Sequence, residues 1–359
     1  MAIADALARK TLSNDEITFV TSKREVEDEI FSSLPYLRVN LSAAHLSRKN
    51  PVLFVVAVVR LGLATLKFRG YLKDLAPRVV VVFGGYISIV AALAARSCWI
   101  PVVVIETNSV MGRANRLAAR FAELVFASFG AGGAPSSGAG SGVPLRNSVT
   151  EFAASSDDRA SLIRALGHDP ESVDKLVTIF GGSLGSRRIN EATVSFLEKQ
   201  ALGGVGSGAL YYVVLGRRDE GLFQDRLARL ASSGKIQIAY RGYDARLYAY
   251  VAVSDAVICR AGSNTIAELD YFGTPAVLVP LPNSPGDHQA LNARWLESRG
   301  QGVVVGDDEC NADVLAAALI ALQKSARSFA ERSGVGSQPR PRSDAASDIG
   351  VSLAEHYFD

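Results

Sequence analysis

The sequence predicts an α/β protein built as two Rossmann-like parallel-sheet domains facing a cleft, and three observations carry the prediction. Short apolar runs of strand length alternate with segments of helical composition along almost the whole chain. Several runs end in glycine turns that lead straight into a helix, at Gly84-Gly85, at Gly181–Gly185 and at Gly262. Between the two series lies Phe129–Ser141 (FGAGGAPSSGAGS), a low-complexity stretch of linker composition. With 359 residues, 48% of them hydrophobic, the chain is long enough for two cores.

The formal net charge of +2 hides an asymmetry. Residues 1–150 carry 17 Lys and Arg against 10 Asp and Glu, and the remainder carries 21 against 26. A basic first half suits a polyanionic or membrane-surface partner. Nucleic acid is not expected, because no basic run is interleaved with aromatics. Cys98, Cys259 and Cys310 are scattered singly, without a CxxC or metal-ligand spacing, and read as packing residues of a reducing cytoplasm. Met1–Lys10 lacks the basic-then-apolar order of a signal peptide.

Taken in order, Ala2–Arg9 is helical in composition, an unusual opening for a doubly wound domain, and Ile17–Thr21 reads as the first strand. Tyr36–Asn40 is the second, and Ser47–Asn50 a polar loop. Pro51–Lys73 is the most hydrophobic stretch, but nine residues before Arg60 are too few to span a bilayer. As a helix it sets Arg60 and Lys67 on one face, with Arg69 and Lys73 on a neighbouring one, beside Leu63, Leu66 and Phe68. Such a helix either rests on anionic lipid or covers a parallel sheet with its basic side outward. Arg78–Phe83 is a buried strand ending in Gly84-Gly85-Tyr86-Ile87-Ser88, before a small-residue helix Ile89–Arg96. Pro101–Ile105 follows, with Glu106-Thr107-Asn108-Ser109 at the carboxyl edge where ligands bind. Met111–Glu123 reads as a basic helix and Leu124–Ser128 as the fifth strand.

Past the linker, Leu176–Phe180 runs into Gly181–Ser186 and a helix from Arg187. Leu210–Leu215 and Ile236–Tyr240 continue the alternation. Asp255–Cys259 then leads into Arg260–Thr265, with Gly262 free to take positive φ and Ser263 or Asn264 placed to cap a helix. A helix starting at a strand's carboxyl end offers unpaired N–H groups and partial positive charge, a ready anion site. Glu268, about one turn further in, can accept both hydroxyls of a ribose. After Ala276–Pro280 and a Pro/Gly loop, His288-Gln289 opens another helix at the same edge. The combination reads as a nucleotide-sugar pocket. Val303–Val305 is the last strand, Asn311–Ser325 is helical, and Ala345–His356 is a closing helix after the Gly/Pro/Arg stretch 334–342. The domains are set at 1–141 and 142–330, with 331–359 as tail and closing helix.

FGGYIS (Phe83–Ser88), ETN (Glu106–Asn108), ANRLAARFAELV (Ala114–Val125), VPLR (Val143–Arg146) and FGGSLGSRRINE (Phe180–Glu191) occur in this order. CRAGSNTIAEL (Cys259–Leu269), PAVLVPLP (Pro275–Pro282) and DHQALNA (Asp287–Ala293) follow. The set resembles the MurG family, transferases that convert lipid I to lipid II in bacterial peptidoglycan synthesis, and matches it over roughly 16–325. The resemblance implies a GT-B fold and an inverting, metal-independent transfer of GlcNAc from UDP-GlcNAc to the muramoyl 4-hydroxyl of a polyprenyl-diphosphate-linked acceptor. No cofactor is implied. It implies a peripheral enzyme on the cytoplasmic face of the plasma membrane, serving cell wall biogenesis and cell shape, and favours the anionic-lipid reading of Pro51–Lys73. By position, Glu268 would hold the ribose, and Ser183 with Ser263, Asn264 and Thr265 would face the diphosphate. Gln289 and His288 would read GlcNAc hydroxyls, and Asn108 and Arg146 would contact the donor. Gly84, Gly85 and Tyr86 belong to the acceptor side, and Asp244 stands where the family has an apolar residue near the uracil.

In the family a first strand and a GGTGGH-like loop with a candidate basic His precede the opening helix, whereas Met1 falls inside that helix. None of His45, His168, His288 and His356 matches that His, so the general base is unassigned. A late-called start, a non-catalytic UDP-sugar-binding relative and a transferase with another lipid or metabolite acceptor each account for this. The first is favoured.

Overall fold

A computed structural model of the chain describes residues 1–22, 31, 34–41, 51–129, 142–152, 156–203, 208–333 and 345–358. The linker at 130–141, the stretch 334–342, Ser47–Asn50 and His45 lie outside them. The first elements are α1 (Ala2–Lys10), β1 (Thr18–Thr21), β2 (Leu37–Asn40), α2 (Pro51–Leu75), β3 (Val80–Val82), α3 (Gly85–Ser97), β4 (Val102–Glu106), α4 (Arg113–Ala118) and β5 (Leu124–Ala127). Then come α5 (Asn147–Thr150), α6 (Ser156–Ala165), β6 (Lys175–Phe180), α7 (Arg187–Leu202), β7 (Ala209–Val214), α8 (Glu220–Ser232), β8 (Gln237–Arg241) and α9 (Leu247–Val253). The series closes with β9 (Ala256–Cys259), α10 (Ser263–Phe272), β10 (Ala276–Leu278), α11 (His288–Ser298), β11 (Gly302–Val304), α12 (Ala312–Ser333) and α13 (Ala345–Tyr357).

Two compact units result, Met1–Arg146 with Asp344–Asp359, and Asn147–Ser343. In the first, β4 shows why an unbroken apolar run is needed. Val102 and Val104 face Phe68, Leu72, Val90 and Ala94 of α2 and α3, while Val103 and Ile105 face Ile3, Leu7, Ile349 and Leu353 of α1 and α13. Alternate side chains point to opposite faces, so a strand covered on both sides must be apolar throughout. Fully burying each Val or Ile contributes about 1.5–3 kcal/mol. The closing helix therefore belongs to this unit, where the sequence reading sets 331–359 apart. A Cβ at Gly350 would come within 2.9 Å of Ala6, so α13 crosses α1 closely. The strands form two ladders, β1-β2 and β3-β4-β5, all parallel. Both share one layer, since Val20, Val39 and Leu41 join the α2/α3 face and Ile17 the α1/α13 face.

The second unit holds one parallel sheet in the order β11-β10-β9-β6-β7-β8. The chain runs outward from β6 through β7 to β8, then returns to the other flank of β6 as β9. The order therefore reverses between β6 and β9, and all six carboxyl ends lie along one rim. In β6 every residue after Lys175 is buried.

Some element ends differ from the sequence reading. The basic helix expected over Met111–Glu123 is only Arg113–Ala118, because Glu123 N–H already bonds to Val102 O at 2.9 Å to start β5. α3 starts at Gly85, not Ile89, because Gly84 and Gly85 take positive φ (105° and 81°) and turn directly into it. Cys259 and Cys310 are buried and Cys98 is half-buried, all three free thiols.

Candidate functional site

Between β6 and α7 the chain makes a turn that only glycine allows at several points. Gly185 N–H bonds to Gly182 O at 3.0 Å, and a Cβ at Gly181 would lie 2.4 Å from Ser186. The turn sits on the end of β7: a Cβ at Gly216 would be 2.1 Å from Gly185 N. Ser183 is at the exposed crest, and Ser186 caps α7 while accepting from Arg260 Nη2 at 2.7 Å.

The turn after β9 lies on the other side of the reversal. Gly262 itself is the N-cap of α10, with extended backbone (φ −65°, ψ 148°), so neither the expected positive φ nor a Ser263 or Asn264 cap is found. Ser263, Asn264 and Thr265 are instead the first three helical residues, and no side chain caps them. N–H groups in that position have no intrahelical partner, so they point outward from the rim with the positive end of the helix. Arg260 braces the turn from behind. Its Nη1 donates to Val279 O, Pro280 O and Asp307 Oδ1 at 3.1, 3.1 and 2.6 Å, joining the ends of β9, β10 and β11 to the α7 cap. Glu268 is half-buried on the second turn of α10. Burial and, secondarily, the Glu268 charge push the Cys259 thiol up.

On the loop after β10, Gln289 Oε1 accepts from Leu281 N–H at 2.9 Å, which turns its amide Nε2 away from the backbone. His288 Nδ1 donates to Pro285 O at 2.8 Å; a carbonyl only accepts, so in the neutral ring Nε2 is the acceptor. At the β8 end Asp244 departs from the expected uracil contact. Its carboxylate turns inward, accepting from Tyr212 OH, from Arg246 N–H at 2.8 Å and from Arg241 at 3.3 Å. Its acceptors serve its own turn, and burial followed by that bond pushes the Tyr212 hydroxyl up. Tyr243 beside it is exposed, with the Arg217 guanidinium 4.5 Å from its ring centre. The structure thus gathers Ser183, Ser263–Thr265, Glu268, His288 and Gln289 at one rim.

In the first unit Gly84 and Asn108 also come together, through a residue the sequence reading left without a role. Glu106, 3% exposed at the end of β4, accepts from Asn108 N–H and Nδ2 at 3.0 and 3.1 Å. Its other oxygen accepts from Gly112 N–H and Asn115 Nδ2 at 2.8 and 3.0 Å. Asn115, 1% exposed, lies against the β3 turn, 3.4 Å from where a Gly84 Cβ would be. A carboxylate ending an all-apolar strand (VVVIE) was the available signal. Tyr86 is half-buried in the first turn of α3, and Arg146 is exposed at the end of the unit's first segment. Of the histidines, His168 meets Ile238 O and His356 pairs with Glu123 at 2.7 Å, both at amino-terminal ends of strands.

Residues 1–127 match the glycosyltransferase family 28 N-terminal domain and residues 176–346 the family 28 C-terminal domain. A UDP-N-acetylglucosamine–N-acetylmuramyl-(pentapeptide) pyrophosphoryl-undecaprenol N-acetylglucosamine transferase of Nitratidesulfovibrio vulgaris is 35% identical over 283 residues, 78% of this chain and 72% of that one. The enzyme so named in Mycobacterium sp. (strain JLS) is 32% identical over 328 residues, 90% and 82% of the two chains. Among solved structures, Acinetobacter baumannii MurG superposes with a TM-score of 0.71 at 22% identity, over 99% of this chain and 94% of that one. A Neisseria meningitidis UDP-GlcNAc 2-epimerase bound to UDP-GlcNAc gives 0.62 at 15% identity, over 99% and 96%. These structural likenesses bear on fold alone, and both units are Rossmann-like sheets of the GT-B class.

Proposed function

This chain belongs to glycosyltransferase family 28, and we propose that it transfers GlcNAc from UDP-GlcNAc to the muramoyl 4-hydroxyl of a polyprenyl-diphosphate-linked acceptor, the step from lipid I to lipid II. The observation that carries the donor half is the reversal of strand order between β6 and β9, flanked by the two glycine turns. Open parallel sheets bind ligands at such a point. The amide groups of Ser263–Thr265 and the Ser183 turn meet the diphosphate, and Glu268 takes the ribose hydroxyls. Gln289 Nε2 and His288 Nε2 supply a donor and an acceptor to the sugar. On the first unit, Asn108 and Arg146 are the residues proposed for donor contact, and Gly84, Gly85 and Tyr86 those proposed for the acceptor.

Breaking the anomeric C–O bond leaves negative charge on UDP. Helix termini and fixed N–H donors stabilise it as it develops, which is the role a metal would otherwise fill. The acceptor hydroxyl oxygen bonds to the anomeric carbon from the opposite side as UDP departs, and its proton passes to solvent or to a base that the described residues do not identify, so configuration inverts.

The lipid-linked acceptor is proposed to reach the enzyme at a cytoplasmic membrane surface, on which α2 rests. Its inner face (Ala57, Phe68, Leu72) is buried on the sheet. The outer face shows Val55, Leu63 and Leu66 at 61, 62 and 63% exposure beside exposed Arg60 and Lys67. An apolar stripe with cations at its border suits anionic lipid. Among the described residues no helix is long and apolar enough to cross a membrane.

The test is GlcNAc transfer from labelled UDP-GlcNAc to a short-chain lipid I analogue, with UDP affinity measured by calorimetry. Transfer with micromolar to millimolar UDP binding is expected. UDP binding without transfer to this acceptor would sink the acceptor assignment, and absence of UDP binding would sink the whole reading.

A further inference from the structure

We infer that Glu106 is a positioning residue: its buried carboxylate fixes the loop that presents Asn108. The inference rests on the reading of Asn108 as a substrate contact. A carboxylate offers about four acceptor positions, and four N–H donors fill them here, two on each oxygen. With its acceptors filled and the side chain 3% exposed, Glu106 is not placed to take a proton from an acceptor hydroxyl. What it does is geometric. One oxygen holds both the backbone and the side chain of Asn108, so that the remaining Nδ2 hydrogen and Oδ1 of that amide face away from Glu106. The other holds Gly112 N–H at the N-cap of α4, and a Cβ at Gly112 would lie 3.7 Å from Oε2. Asn115 Nδ2 spans Glu106 and Ile105 O, at 3.0 and 3.2 Å, which fixes α4 to the end of β4, and the same side chain packs beside Gly84 of the β3 turn.

Glutamine in place of Glu106 keeps shape and volume but turns one oxygen into an N–H donor. Whichever way the amide sits, two of the four buried donors then face a donor. Glu106→Gln is expected to lower kcat for GlcNAc transfer on the order of 10²-fold, the scale of an ångström-sized misplacement. UDP affinity should stay within twofold, because the groups proposed for the diphosphate and ribose, Ser183, Ser263–Thr265 and Glu268, do not touch Glu106. Adding Glu106→Gln to Asn108→Ala should cost less than threefold more, because the positioned group is already gone. Independent effects in the double variant, or an Glu106→Gln enzyme within threefold of wild type, would overturn the inference. A parallel loss of UDP affinity would do the same, by marking Glu106 as a general prop of the fold. Amide exchange reads the claim without turnover. Protection at Asn108 and Gly112 should fall in Glu106→Gln while that of β6 is unchanged, and unchanged protection at both counts against it. If wild type transfers nothing, the proposed function fails while the exchange measurement still decides the role of Glu106.

Discussion

The stacking of the β6–α7 turn on Gly216 can be tested with a matched pair of alanine substitutions. Gly182 and Gly216 both have positive φ, 94° and 88°, so alanine at either carries a backbone penalty of about 1–2 kcal/mol. They differ in surroundings. A Cβ at Gly182 meets nothing within 4 Å, whereas one at Gly216 falls 2.1 Å from Gly185 N and 2.2 Å from its Cα, over an ångström inside ordinary contact. Relieving that overlap means moving backbone, which typically costs a further 1–3 kcal/mol or so. Gly216→Ala should therefore lose about 2 kcal/mol more than Gly182→Ala. For a unit of this size that is roughly 4–8 °C in the melting transition that UDP shifts. Because the displaced turn carries Ser183, Gly216→Ala should also weaken UDP binding about tenfold or more. Calorimetric melting of the pair with and without UDP reads both effects. Equal melting temperatures, with equal UDP affinity, would refute the stacking of the two strand ends.

Glu268→Ala should weaken UDP binding by about 1–3 kcal/mol through lost charge-assisted bonds to the ribose, and unchanged affinity by titration calorimetry would remove Glu268 from the pocket. Replacing Arg60 and Lys67 with Gln should reduce cosedimentation with vesicles containing anionic phosphatidylglycerol, whereas Lys199→Gln, on the second unit, should not. Equal pelleting of all three proteins would leave α2 as a sheet-covering helix alone. The Cys310 thiol is pushed up to about 11, chiefly by burial and also by Asp307, and Cys259 shifts in the same direction. A thiol whose folded value exceeds its unfolded one adds stability that is complete below the unfolded value and is lost as pH rises through the folded one. Urea stability should therefore fall between about pH 9 and 11, and less steeply in a Cys259→Ala, Cys310→Ala double variant. Parallel slopes would show that the thiols contribute nothing to it.

The strands and the rim were legible because they rest on local signals. Apolar runs such as LVTIF and DAVIC mark strands covered on both faces, and a glycine directly after one marks a turn at the carboxyl edge. Residues that follow such turns come to one edge once the strands lie parallel, which is why the Ser263–Thr265 turn and Gln289 could be nominated together, while Ser183 was added by the family resemblance. What resisted reading depends on partners distant in sequence. Asp244 looks like a ligand contact until Tyr212, 32 residues away, is found donating to it. Arg260 is one residue of a turn until Ser186 and Asp307 place it at the junction of four strand ends. Gly262 reads as a positive-φ turn residue, but its backbone is extended and a Cβ there would meet only Thr265 Oγ1 at 3.9 Å, so neither conformation nor crowding demands glycine at this helix start. Glu106 shows the same limit, since a lone carboxylate at a strand end does not reveal how many donors converge on it.

The divided ladder of the first unit has a bearing on handling the protein. Four of its five described strands end a ladder, against two of six in the second unit. Strand flanks left without neighbours recruit other chains during refolding. Loss of soluble material after denaturation should thus begin at Thr18–Thr21 and Val80–Val82. Because no side chain of Thr18–Thr21 or Val80–Val82 is exposed, the remedy is dilution during refolding and not a charge built into these strands.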